Sequence, residues 1–227
     1  MPATADRPPV TYAVVGATQA PDLMTFPPRG FRPAAYTARI GHGENRWAYA
    51  VEGLLDGGVY RGAGMTVRYR PAPDQIAADG YTPVGFDDDG EPVAPAELSP
   101  AEQVFTAEGR PLLRPADEIT VGLGVGDALW FPLPTRVVLL EQAESRVTLV
   151  MGTLPGHVLR GEESFTLERA SDGSVWLTVR SFARPAHWWL WPAWPGMLVA
   201  RRLIAARFLR ALAGPIPTPR GHNDERV

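Results

Sequence analysis

The spacing of apolar residues changes along the chain, and each change predicts an element. Trp47, Ala50, Val51, Leu54 and Leu55 recur at helical intervals, which predicts an amphipathic helix over 44–56 with its apolar face on a sheet. Gly57-Gly58 is a natural stop. Before it, residues 36–40 read as a strand broken by Gly41-His42-Gly43. From 118 onward the period shortens to that of strands, with candidates at 119–122, 128–131, 136–141, 146–152, 164–168 and 174–182. Asp172-Gly173 between the last two is a hairpin signal. There Val175, Leu177 and Val179 alternate with Trp176, Thr178 and Arg180. One face of that strand is therefore expected to be buried, and the other wet or lining a cavity. Residues 196–212 read as a long helix, ended by Pro215, Pro217 and Pro219.

Prolines break the pattern elsewhere. Residues 20–33 cannot form a long regular element. Residues 70–118 carry eight prolines and the acidic run Asp87-Asp88-Asp89. They read as a long excursion, either a solvated loop or a lid over a pocket, with a short helix at 100–108 capped by Ser99. Residues 1–10 read as a loose arm and 214–227 as a disordered tail. The expectation is a single α+β domain over 1–213: a curved antiparallel sheet gripping the C-terminal helix, with room for a cavity between them.

Composition removes several chemistries. The chain has 227 residues, no cysteine, and arginine at all 22 basic positions. Thiolate nucleophiles, disulfides, Schiff-base lysines and P-loops are therefore excluded. A net charge of −3 with scattered arginines speaks against nucleic acid as a partner. Residues 1–9 show no apolar run of the signal-peptide kind, and no stretch of about 18 apolar residues occurs, so the expected compartment is the cytoplasm. Gly122-Leu123-Gly124-Val125-Gly126 lacks the dinucleotide-binding spacing and no G-x-S-x-G elbow occurs. His42, His157, His187 and His222 lack metal-ligand spacing. Neither a metal nor a cofactor is expected.

Two segments concentrate chemistry. Residues 152–163 hold three glycines, a proline, His157, Arg160 and the adjacent pair Glu162-Glu163. His157 with Glu162 as its orienter would make a general base; the alternative is an ordered hairpin loop stitched by an Arg160–Glu162 pair. Adjacent strand residues point to opposite faces, so only one of the two glutamates can enter a site. The second segment, 187–194, holds His187, Trp188, Trp189, Trp191 and Trp194. It serves as core packing, as a pocket wall, or as a membrane-interface patch followed by Arg201, Arg202, Arg207 and Arg210. Those four arginines do not share one helix face.

Val15-Gly16-Ala17-Thr18, Pro28-Arg29-Gly30-Phe31, Arg39-Ile40-Gly41-His42-Gly43, Gly152-Thr153-Leu154-Pro155-Gly156-His157, Arg160-Gly161-Glu162-Glu163-Ser164-Phe165 and Phe182-Ala183-Arg184-Pro185-Ala186 occur in this order. Together they resemble the domain-of-unknown-function 1990 family, itself similar to the START and birch-pollen-allergen-like helix-grip proteins. The resemblance covers roughly 12–58 and 128–212 and implies a hydrophobic cavity under the C-terminal helix. It implies no reaction, and 70–118 is longer than the family would suggest.

Three functions follow as expectations. The first is binding of a hydrophobic or amphipathic small molecule, with ligand contacts from Arg39, Trp47, Arg160, Trp176, Trp188 and Trp189. The second is a cofactor-free cyclase, lyase or isomerase using His157 and Glu162. The third is contact with a membrane or partner through residues 188–194.

Overall fold

The computed structural model describes residues 9–72, 85–86, 92–93, 103–123 and 131–216. In chain order the elements are β1 (Arg32–His42), α1 (Glu44–Leu55), α2 (Gly58–Gly62), β2 (Thr66–Arg70), β3 (Gly85–Phe86), β4 (Pro92–Val93), β5 (Glu118–Leu123), β6 (Phe131–Ala143), β7 (Arg146–Thr153), β8 (Leu159–Arg169), β9 (Ser174–Pro185) and α3 (Trp194–Ala211). A 3₁₀ turn, Trp188–Ala193, leads into α3. Seven strands make one open sheet in the order β1-β9-β8-β7-β6-β5-β2, and β3 and β4 pair separately. Every pairing in the sheet is antiparallel. This α+β arrangement, with a C-terminal helix on the sheet, is consistent with a helix grip.

Alternation explains the layers. Phe165 and Leu167 of β8 and Val175, Leu177 and Val179 of β9 are buried on one face, in a core completed by the helices. Tyr60, Phe165 and Phe208 meet edge to face with centroids 5.2–5.5 Å apart, which pins α2 and α3 to the sheet. The opposite face carries Trp176, which is partly exposed. At the far end of β8 and β9 that face is not wet: Tyr12 and Leu23 pack on Phe182 in a second core. Both sides of the sheet are therefore covered there.

Several elements differ from the sequence reading. The helix over 44–56 appears as α1, and Gly57 at φ +79° ends its backbone. The chain then makes α2, whose Val59 and Tyr60 are buried. Five residues with a glycine at each end are too short for periodicity to reveal. Strand β1 begins at Arg32 and includes Pro33, which an edge strand tolerates. Strand β8 begins five residues earlier than expected, at Leu159. Most of the 70–118 segment lies outside the described residues, but both its ends are packed. Asp117 is fully buried and accepts hydrogen bonds from the Tyr69 hydroxyl, Ala72 N–H and Arg114 N–H, each at 2.7 Å. Residues 103–108 form no helix, and Phe105 bridges to Pro111 instead. Residues 100–102 of that expected helix, 128–130 of an expected strand, the 1–8 arm and the 217–227 tail lie outside the described residues.

Candidate functional site

Beneath α3 lies a cavity of about 130 Å³. Its walls are mostly apolar: Met65, Val121, Leu133 and Met151 stand opposite Tyr60, Ile204 and Phe208. The polar residues along it are Tyr36, Thr135, Thr153, His157, Glu162, Glu163, Ser181 and Arg201. The strand period puts Glu163 there, because Leu159, Gly161 and Glu163 of β8 share the inward parity with buried Phe165.

Glu163 makes no hydrogen bond and no close ion pair among the described residues. Burial pushes its carboxyl up from 4.5 to about 7, with the Arg201 guanidinium opposing the shift. Arg201 enters from α3, donating to Ser181 Oγ at 2.9 Å and to the Arg32 carbonyl at 3.3 Å. Burial lowers its own pKa, against the pull of Glu163. Tyr60 is held well above its ordinary value by burial and by Glu163.

His157 sits on the turn between β7 and β8. Its Nδ1 stands 2.9 Å from both the N–H and the carbonyl oxygen of Leu159, accepting from the one or donating to the other according to the ring's tautomer. Burial lowers its pKa from 6.5 to about 4, opposed by the hydrogen bond to the Leu159 backbone. From about pH 4 to pH 7 the cavity thus holds a neutral imidazole and a carboxylic acid beside one guanidinium. Such groups can exchange protons with a bound molecule or hydrogen-bond its polar end.

Glu162 does not orient His157. It is 2 % exposed, and its outward parity turns it toward the N-terminal segment. Oε2 accepts the Tyr12 hydroxyl and Gly16 N–H, both at 2.7 Å; Oε1 accepts Thr18 N–H at 2.9 Å and Thr18 Oγ1 at 2.6 Å. Four donors saturate this carboxylate, which fastens residues 12–18 across the sheet. The hydroxyl of Tyr12 is correspondingly hard to ionise, first through burial and then through Glu162. The expected Arg160–Glu162 stitch does not form either.

The expected ligand contacts Arg39, Trp47, Arg160, Trp176, Trp188 and Trp189 lie away from the cavity. Arg39 and Trp176 are register partners on the outward face, and the Trp176 indole donates to Ser174 Oγ at 2.9 Å. Arg160 shares the outward parity, paired in register with Arg184. Trp47 is buried on α1 with the Arg169 guanidinium 5.5 Å from its ring centre. Trp188 and Trp189 are 83 % and 59 % exposed. Counting aromatic residues found bulk but not direction. The Glu162-Glu163 pair was the one signal that could have located Glu163, because parity with Phe165 and Leu167 marks the inward member.

Among the described residues no group of three or more His, Asp or Glu is placed to hold a metal ion. No described helix is long and apolar enough to cross a membrane.

A UPF0548 protein of Deinococcus radiodurans is 38 % identical over 84 residues, which is 37 % of this chain and 42 % of that protein. The Arabidopsis thaliana UPF0548 protein At2g17695 is 35 % identical over 82 residues, 34 % of this chain and 40 % of that one. The matches thus span about two fifths of each relative. Among solved structures, the hypothetical protein jhp0584 from Helicobacter pylori aligns with a TM-score of 0.41 at 9 % identity, covering 83 % of this chain and 90 % of the other. DR_A0006 from Deinococcus radiodurans aligns with a TM-score of 0.32 at 12 % identity, covering 82 % and 98 %. The domain of unknown function DUF1990 matches residues 11–87 and 95–211, taking in every strand of the large sheet together with α3, and the chain belongs to that family.

Proposed function

We propose that the chain binds a small amphipathic molecule in the cavity under α3, its apolar body against Tyr60, Met151 and Phe208 and its acidic head toward Glu163 and Arg201. The observation that carries this reading is Glu163: a carboxyl in an apolar cavity without a hydrogen-bond partner among the described residues. The carboxyl opens onto the cavity, so the head of a ligand can supply its partner. The volume compares with engineered cavities of about 150 Å³ that take up benzene, so a ring or short chain fits inside. Below about pH 7 Glu163 is protonated and donates, while Arg201 carries the charge, so the site favours an anion. Above it the Glu163 carboxylate repels the same head.

The test is a calorimetric titration with benzoate, an anion of one ring. Wild-type affinity is expected to fall about tenfold per pH unit above 7, to lose that dependence in Glu163→Gln, and to drop in Ala34→Phe, which fills the cavity wall. Equal binding by the filled variant, or an unchanged pH profile in Glu163→Gln, would overturn the reading.

The same groups favour a second reading, a cofactor-free lyase or isomerase in which Glu163 moves the proton. Its pKa near 7 is where general acid–base catalysis is most efficient at neutral pH. Incubation with a metabolite extract, followed by mass spectrometry, should then show a product absent with Glu163→Gln. No difference between the two proteins removes it.

A further inference from the structure

Trp188, Trp189 and Trp191 are 83 %, 59 % and 50 % exposed. Three large indoles facing water within four residues are not the scattered apolar exposure of ordinary surfaces. Their outward direction is fixed rather than accidental. Leu190 and Trp194 of the same stretch are buried, and Pro192 lies inside the 3₁₀ turn. The two inward anchors hold the turn against the body and force the remaining indoles out.

The following helix continues the surface. Val199 and Leu203, 60 % and 62 % exposed, lie one turn apart on the outer side of α3. Arg202, Arg207 and Arg210 are exposed around them. At 100° per residue these three arginines fall within an arc of about 140° centred on that apolar ridge. Only Arg201 of the four turns inward, toward the cavity. The arginines do share a face once the buried side of α3 is known.

Charge is segregated to match. No carboxylate side chain occurs from Gly173 to Asn223, although the chain as a whole carries a net charge of −3. Indoles, aliphatic side chains and arginines on one helical ledge are what a headgroup region accepts: indoles at the polar boundary, aliphatics below it, guanidiniums on anionic phosphates. Two copies of the chain docked through this face would set the arginines of one helix against those of the other, with no carboxylate on either helix to offset them. A nucleic-acid groove would give Val199 and Leu203 nothing to gain.

We propose that the ledge formed by Trp188, Trp189, Trp191 and the outer face of α3 docks the protein peripherally on an anionic lipid surface. Docking is independent of whether the cavity is filled.

The test is co-sedimentation of the full chain with phosphatidylcholine vesicles with and without phosphatidylglycerol, at low and at physiological salt. Binding is expected only with phosphatidylglycerol, weakened by salt, with a blue shift of tryptophan emission. Substituting Arg202 or Arg207 with Gln should weaken it about fivefold each. Trp188→Ser with Trp189→Ser should weaken it about tenfold or more with an unchanged melting temperature, since both side chains are exposed. The proposal is overturned by absence of binding to anionic vesicles at low salt, or by binding indifferent to the tryptophan substitutions. A dimer in light scattering that those substitutions disperse would overturn it too, assigning the ledge to a second copy. So would tight single-stranded DNA binding that the same substitutions abolish.

Discussion

Two neighbouring glutamates divide the labour of strand β8. Glu162 faces outward into four hydrogen bonds, and Glu163 faces inward into a cavity that offers it none. Their fates under substitution should therefore be opposite. Glu162→Ala strips the acceptors from two backbone N–H groups and two hydroxyls, where each buried orphan costs about 1–3 kcal/mol. Urea unfolding should show a loss of about 3 kcal/mol or more, and hydrogen exchange should show the amides of Gly16 and Thr18 losing protection before those of the central strands. Glu163→Gln removes a carboxyl that burial already disfavours, and should leave stability at pH 7 within about 1 kcal/mol of the parent. The sequence did show that only one of the pair could enter a site. It did not show which, because the partner of Glu162 is a segment some 145 residues away along the chain, and no local pattern records that return.

The β8–β9 hairpin positions both glutamates, and its geometry hangs on Gly161. The backbone there has φ +147°, and a Cβ would stand 1.9 Å from the Phe182 carbonyl oxygen. No side-chain adjustment relieves a clash with backbone, so the strands must separate. Gly161→Ala should destabilise the fold by about 3 kcal/mol or more and shift the amide resonances of residues 159–163 and 182–185. Gly173→Ala in the hairpin turn, at φ +79°, meets first the His42 ring, at 2.9 Å; a side chain can yield where backbone cannot, so it should cost less. The hairpin itself was legible from Asp172-Gly173 and from the Val175, Leu177, Val179 alternation. The short elements α2 and β2 were not, since five residues hold too few repeats for a period to show. Close packing fixes α2: a Cβ on Gly62 would stand 2.8 Å from Ala211 of α3, a constraint visible only once the two helices are side by side.

At the scale of the whole molecule, His157 and Glu163 should hide each other in the pH dependence of stability. The His157 pKa falls from 6.5 to about 4 on folding, so its contribution is present above pH 6.5 and is lost as pH falls toward 4. The Glu163 pKa rises from 4.5 to about 7, so its contribution is present below pH 4.5 and is lost as pH rises through 7. Between about pH 4.5 and 6.5 the unfolded chain carries one proton on the imidazole and none on the carboxylate. The folded chain carries none on the imidazole and one on the carboxyl. Proton counts match, so this pair contributes no slope in that window. Removing either member should expose the other. Glu163→Gln leaves His157 alone, and stability should then climb with pH by up to about 1.4 kcal/mol per unit across the window. His157→Asn keeps an acceptor for the Leu159 N–H and leaves Glu163 alone, so the slope should reverse sign. The double substitution should restore the parent's profile. Urea unfolding at half-unit intervals from pH 4.5 to 7 reads all four slopes. If each single variant instead runs parallel to the parent, neither group is buried in the state the cavity implies, and the pH-gated binding reading loses its physical basis.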